Sequence, residues 1–224
     1  THLQKLRQRH PHTTFVCAGD LVGASPLISA LFHDEPSVEA MNQMGLDLLA
    51  LGNHEFDEGV DELQRLKQGG CHPEDGCQGK DDYEGANFPF LAANVRVKET
   101  GQTLFPPYLI KEYDTVKVGY IGLTLEGTPD AVSPEAVASV EFLDEVEVIN
   151  QYTRELQDQG VEAIVVVIHE GGYPEADLED INDCPGLSGP IVQIHEGLDP
   201  AVDAIVAGHT HQAFNCEMDG RLIT

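Results

Sequence analysis

Two hydrophobic spacings alternate along the chain. Short apolar runs at 14–19, 47–51, 90–95, 163–168 and 203–207 have the length of strands. Between them, apolar residues recur every three or four positions, as Val60, Leu63 and Leu66 do within 58–68. Phe142, Leu143, Val146, Ile149, Tyr152 and Leu156 do the same within 140–159. These two stretches predict amphipathic helices, the first stopped by Gly69-Gly70 and the second by Gly160. Shorter helices are expected over 26–32, over 37–44 with Ser37 as N-cap and Gly45 as stop, and over 191–197. Runs 108–113 and 116–123, turning at Asp114-Thr115, predict a hairpin, and so do 212–217 and 221–224 about Asp219-Gly220. Stretches 70–87, 127–139 and 170–189, rich in Gly, Pro and acidic residues, read as loops. Strand–helix alternation with two hairpins implies a mixed α/β domain with helices covering sheet faces.

The polar residues that end the strands change the picture. Asp20 ends TTFVCAGD, Asn53-His54-Glu55 follows LLALG, His169 ends AIVVVIH, and His209 and His211 close AIVAGHTH. Packing does not call for four strand ends tipped with metal-competent groups. Asp20 offers a carboxylate able to bridge two ions, Asn53 a carbonyl oxygen, and His169, His209 and His211 offer imidazoles. Mixed N and O donors suit Zn, Mn or Fe better than Ca. Glycines before Asp20, Asn53 and His209 are expected to permit tight turns there. His54 is better placed as a catalyst than as a ligand, because Asp57, three residues on, can accept its second N–H and fix its tautomer. Glu55 reads as a solvated carboxylate and Asn94 as strand-end polarity lining the site. His195 reads as a helix residue.

Charge narrows the partners. Asp and Glu total 39 against 12 Lys and Arg, a formal net charge of -27. Such a surface repels a nucleic-acid backbone, so binding to a nucleic acid polymer is not expected, while a small phosphate ester remains compatible through bound cations. No apolar run reaches the length of a membrane span. The five cysteines allow two disulfides, Cys71–Cys77 and Cys184–Cys216, with Cys17 a buried thiol, which implies an oxidising compartment. The alternatives are five reduced thiols, or a zinc knuckle from Cys71, His72 and Cys77. A second metal pair at His10 and His12 is weakened by the lack of a strand before it.

The strings AGD, GNHEFDEG, IHEG and GHTH, with FPFLAANV, resemble the motifs of the calcineurin-like metallophosphoesterases, closest to the 5'-nucleotidase / UDP-sugar hydrolase branch, over residues 14 to 224. The resemblance implies a four-layer α/β sandwich of two mixed β-sheets flanked by helices, with residues 1–224 as one catalytic domain. It implies that Asp20 bridges two divalent metal ions (Zn, Mn or Fe), that Asn53, His169 and His209 complete one site and that His211 serves the other. His54 and Asp57 are then the catalytic pair. The implied reaction is hydrolysis of nucleotide phosphate monoesters outside the cytoplasm, in an extracellular, periplasmic or cell-wall setting. The same branch contains 2',3'-cyclic-nucleotide phosphodiesterases and UDP-sugar hydrolases. Two departures set further expectations. The family's opening Asp-x-His is missing, since 1–14 contains no Asp, which leaves Asp20 and His211 for the first metal. The branch's C-terminal substrate-binding domain is also expected to lie outside this sequence. A chain so truncated is expected to hold a single ion, and a noncatalytic metal-binding fragment is the remaining alternative.

Overall fold

The computed structural model describes residues 2–79, 82–175, 180–182, 184 and 186–224. In chain order the elements are α1 (His2–Arg9), β1 (Val16–Ala18), α2 (Leu27–Ala30), α3 (Glu35–Met44), β2 (Leu48–Ala50), a 3-10 turn (His54–Phe56), α4 (Val60–Gln68), β3 (Phe90–Leu91) and β4 (Val95–Val97). There follow β5 (Tyr108–Tyr113), β6 (Val116–Thr124), α5 (Thr128–Ala131), β7 (Val140–Phe142), α6 (Glu145–Asp158), β8 (Ala163–His169), α7 (Pro190–Gly197), β9 (Ala204–Val206), β10 (Cys216–Met218) and β11 (Arg221–Ile223).

Two sheets face each other. One is parallel, in the order β1-β2-β3; the other is mixed, in the order β10-β11-β9-β8-β6-β5, with β11, β9, β8 and β6 mutually parallel. Alternation along each strand divides the apolar residues into three layers. Ile121, Leu123, Ile164, Val166 and Ile205 face Val148, Ile149 and Leu156 of α6 and Ile191 and Ile194 of α7. Leu49, Leu51 and Phe90 face Val38 of α3 and Leu63 and Leu66 of α4. The residues between, Leu48, Ala50, Leu91, Tyr120 and Val167, fill the space from sheet to sheet. The layers therefore run helix, sheet, sheet, helix, the expected sandwich. Gly122 marks a close approach of the sheets: a Cβ there would lie 2.3 Å from that of Leu91.

Both hairpins form about the expected turns: β5 pairs with β6 from Tyr108–Ile121 to Tyr113–Val116, while the first strand of the second hairpin is confined to Cys216–Met218 and leaves 212–215 outside it. Other expectations need correction. The helix expected over 140–159 begins only at Glu145, where the Asp144 carboxylate accepts the backbone N–H of Glu147 at 2.7 Å. The preceding Val140–Phe142 instead pairs antiparallel with β4, and Phe142 packs edge-on against Phe56. The single strand expected over 90–95 is broken into β3 and β4. At the break, Asn94 is fully buried; its amide donates to the Thr124 and Leu143 carbonyls and accepts the Thr124 N–H. Asn94 therefore joins elements and does not line the site. Helix α3 starts before Ser37, whose hydroxyl bonds that of Ser29 instead of capping. Helix α1 was not expected; Arg7 ties it to the carbonyls of Met44 and Gly45 and to Asp47. The loops expected over 70–87 and 170–189 lie in part outside the described residues.

Candidate metal and catalytic site

The C-terminal ends of β1 and β2 in one sheet meet those of β8 and β9 in the other. A hydrogen bond joins the sheets there: His169 Nδ1 donates to the carbonyl of Ala18 at 2.6 Å. With Nδ1–H directed at a backbone oxygen, Nε2 is the nitrogen that faces the cluster, where it holds a second proton or ligates an ion. Nε2 stands 3.0 Å from Asp20 Oδ2 and 3.2 Å from Asn53 Oδ1. Nε2 and two acceptor oxygens thus converge, an arrangement stable only with a proton or a metal ion between them. A His209 nitrogen completes the group, its ligand atom within 4.8 Å of those of Asp20 and His169. Two imidazoles, a carboxylate and a carboxamide fit a borderline divalent ion.

The charges respond to this crowding. Burial pushes the Asp20 carboxyl up, but the hydrogen bond and charge of His169 and the N–H of His54 outweigh it and hold Asp20 below the usual carboxylate range. Burial pushes His169 down, and its bond to Asp20 outweighs that, leaving it raised. His209 is lowered by burial and by its neighbour His169, which favours the neutral imidazole that ligates. Asp20, His209 and His211 all adopt left-handed backbone, with φ of 54°, 69° and 54°. Such conformations cost about 1–3 kcal/mol each and persist where surrounding structure enforces them.

Glu55 corrects the reading of a solvated carboxylate. It is only 3 % exposed, and it accepts four backbone N–H groups, from Asp20, Leu21, Val22 and Gly52. It clamps the loop after β1 to the end of β2 and so holds Asp20 in place. Its one sequence signal is its position three residues after Gly52, on the turn that also carries His54 and Asp57. The glycines act partly otherwise than expected. Gly19 has a positive φ of 90°, whereas Gly52 and Gly208 do not. Gly52 is required by close approach: a Cβ there would lie 2.3 Å from Asp20 Oδ1.

His54 Nδ1 lies 2.7 Å from Asp57 Oδ2, and the His54 backbone N–H donates to Asp20 Oδ1 at 3.1 Å. Burial lowers His54, but the Asp57 bond and the Asp20 charge more than offset it, so its pKa is raised. His211 lines the cavity of about 350 Å³ that holds Asp20, His169 and His209, yet stands outside the three-residue cluster. Gln212 lines that cavity too and was not expected. His54 and Asp57 line a second cavity of about 150 Å³ with Gly23, Ser25 and His33. Elsewhere, Cys71–Cys77 and Cys184–Cys216 are disulfides, so no zinc knuckle forms at Cys71. Cys17 is the free thiol, pushed up to about 12 by burial and the charge of Glu55. His12 pairs with Asp114 rather than with His10, and His195 lies within α7, bonded to Arg221. Among the described residues no helix is long and apolar enough to cross a membrane.

Ligand atoms gathered at strand ends between two sheets make a candidate metal site. The chain belongs to the calcineurin-like phosphoesterases, whose family model matches residues 1–213. It is 36 % identical over 222 residues to Endonuclease YhcR of Bacillus subtilis (strain 168), covering 99 % of this chain and 17 % of that protein. It is 32 % identical over 184 residues to a 5'-nucleotidase of Vibrio vulnificus (strain CMCP6), covering 82 % of this chain and 30 % of the relative. The 5'-nucleotidase precursor of Thermus thermophilus has the same fold, with a TM-score of 0.69 at 27 % identity over 93 % of this chain and 34 % of that one. The chain thus spans only about a third, or less, of the length of each of these proteins.

Proposed function

We propose that this chain carries the metal-binding and catalytic residues of an enzyme that hydrolyses phosphate monoesters of nucleotides, a 5'-nucleotidase. The observation that supports it most is the convergence of His169 Nε2, Asp20 Oδ2 and Asn53 Oδ1, with the His54–Asp57 pair tied to the same Asp20 carboxylate. In this reading Asp20 would be shared by two ions, Asn53, His169 and His209 would hold one, and His211 would serve the other. Divalent ions, when bound, activate water and neutralise phosphoryl oxygens. His54 donates its Nε2 proton to a phosphoryl oxygen or to the departing ester oxygen, and Asp57 keeps the ring oriented to do so. Glu55 fixes the loop that carries Asp20. The nucleoside half of the substrate is then recognised by parts of the protein beyond this sequence. Two disulfides favour an extracellular, periplasmic or cell-wall location.

The likeness to an endonuclease favours a second reading, cleavage of phosphodiesters. The net charge of -27 opposes a polymeric substrate, which leaves cyclic nucleotides and nucleotide-sugar pyrophosphates as the competing small esters. Inorganic phosphate from AMP, the nucleoside monophosphate opened from a 2',3'-cyclic nucleotide, UMP and glucose 1-phosphate from UDP-glucose, and nicking of plasmid DNA separate these readings when measured with Mn(II) or Zn(II) on the full-length protein. AMP hydrolysis that is lost in His54→Ala is expected. No hydrolysis of any monoester with both metals supplied overturns the proposal.

A further inference from the structure

A second group of metal-competent side chains stands apart from Asp20. His33 follows α2, and His72 and Asp75 lie on the hairpin that the Cys71–Cys77 disulfide closes. We propose that His33, His72 and Asp75 form a separate divalent-cation site, taking a borderline ion such as Zn(II), that pins this hairpin to the turn between α2 and α3. The inference is independent of the reaction assigned to Asp20.

The geometry carries it. His33 Nε2 lies 2.9 Å from Asp75 Oδ2, and His72 Nδ1 lies 3.7 Å from the same oxygen. The three candidate ligand atoms all fall within 4.8 Å of one another. Two imidazoles and a carboxylate are a three-ligand zinc set, with water completing the coordination. Both imidazoles are mostly buried, 19 % and 15 % exposed, while Asp75 at 62 % leaves an entry path from solvent.

Both sides of the site are held before any ion arrives. The disulfide brings the Cα atoms of Cys71 and Cys77 to 4.4 Å, and His72 and Gly76 exchange backbone hydrogen bonds of 3.2 and 2.9 Å inside it. On the other side, His33 and Asp34 are consecutive left-handed residues, with φ of 50° and 59°. The Asp34 carboxylate accepts the N–H of Gly23 and the hydroxyl of Ser25, so this turn is fastened to the loop that follows Asp20. The rings of His33 and His72 stack at 3.8 Å, only 4° from parallel. A common ion therefore requires the His72 ring to turn out of the stack. It gives up the stack and two hydrogen bonds, Nδ1 accepting from the N–H groups of Glu74 and Asp75 at 3.4 and 3.2 Å. The ion would link hairpin, turn and loop into one braced unit beside the cavity of His54 and Asp57, which His33 also lines.

The test counts Zn(II) bound to the chelator-stripped, oxidised full chain after gel filtration. His33→Ala, His72→Ala and Asp75→Ala are each expected to bind one ion fewer than the wild type. The Cys71→Ser/Cys77→Ser pair is expected to weaken that ion at least tenfold. Equal stoichiometry and affinity in variants whose circular dichroism matches the wild type overturn the site. For the wild-type chain alone, zinc-edge anomalous diffraction is expected to show a peak between the three side chains. Absence of that peak at saturating Zn(II) overturns the site whether or not the variants fold.

Discussion

Two clusters in this molecule each combine two histidines with an aspartate, and they are built in opposite ways. Asp20, His169 and His209 come from three strand ends in two sheets, and His169 is only 2 % exposed. His33, His72 and Asp75 come from a turn and a six-residue disulfide loop at the surface. The first is positioned by the core itself: the β8 residues that precede His169 are packed on both faces, and its Nδ1 is bonded across the sheets. The second is positioned by a covalent strap and two left-handed residues. Rigidity at the strand ends costs buried charge and backbone strain, and Glu55 is the group that makes it tolerable, by satisfying four N–H donors at once.

The comparison can be broken most sharply at the strand ends. His54→Ala is expected to lower kcat for nucleotide monoesters by about 10²–10⁴-fold while metal content is unchanged. Metal analysis beside steady-state kinetics checks this, and full activity without His54 would remove it from the chemistry. Next in size is the Cys184–Cys216 bridge, which spans 32 residues and ties the loop after β8 to β10. Its Ser/Ser variant is expected to lose about 4 kcal/mol in urea unfolding on the chain-entropy scale. Glu55→Ala, measured the same way, is expected to cost about 3 kcal/mol, because buried N–H groups lose their acceptor. A loss below about 1 kcal/mol would mean that water replaces the carboxylate there. The Cys71–Cys77 bridge closes only six residues and its loss is expected to cost about 2 kcal/mol, so the surface cluster should loosen while the strand-end cluster stands.

The smallest effect concerns the His54–Asp57 pair. Because His54 is raised in the folded state, the pair contributes stability that is present below the ordinary imidazole pKa. That contribution fades as pH rises through the raised value. Asp57→Asn is expected to bring the His54 ring titration, followed by NMR in the metal-free protein, back down toward the ordinary value. The acid-side increment of stability should disappear with it. An unchanged titration would show that the charge of Asp20, not Asp57, sets the shift.

Legibility in the sequence followed locality. Apolar runs ending in Asp20, Asn53, His169 and His209 announced strands tipped with metal-competent groups, and the structure brings these four residues together. The spacing of His54 and Asp57 announced their hydrogen bond. Spacing misled at Val140–Phe142, where apolar periodicity continued a helix pattern through residues that pair with β4. It misread Glu55 as solvated and Asn94 as lining the site, because the distant backbone donors and acceptors that surround them leave no local signal.

The sequence by itself determined the strands that carry the polar tips, the order in which those tips appear and the charge that disfavours polymeric anions, because each depends on residue identity or on neighbours a few positions away. Only the tertiary structure decided which carboxylates are buried and which nitrogen of His169 faces the cluster. It also decided that Gly52 is needed for close approach rather than for a turn, and that His33 meets His72 and Asp75. Those facts depend on what the opposite sheet or a loop some 40 residues away presents to the same point in space.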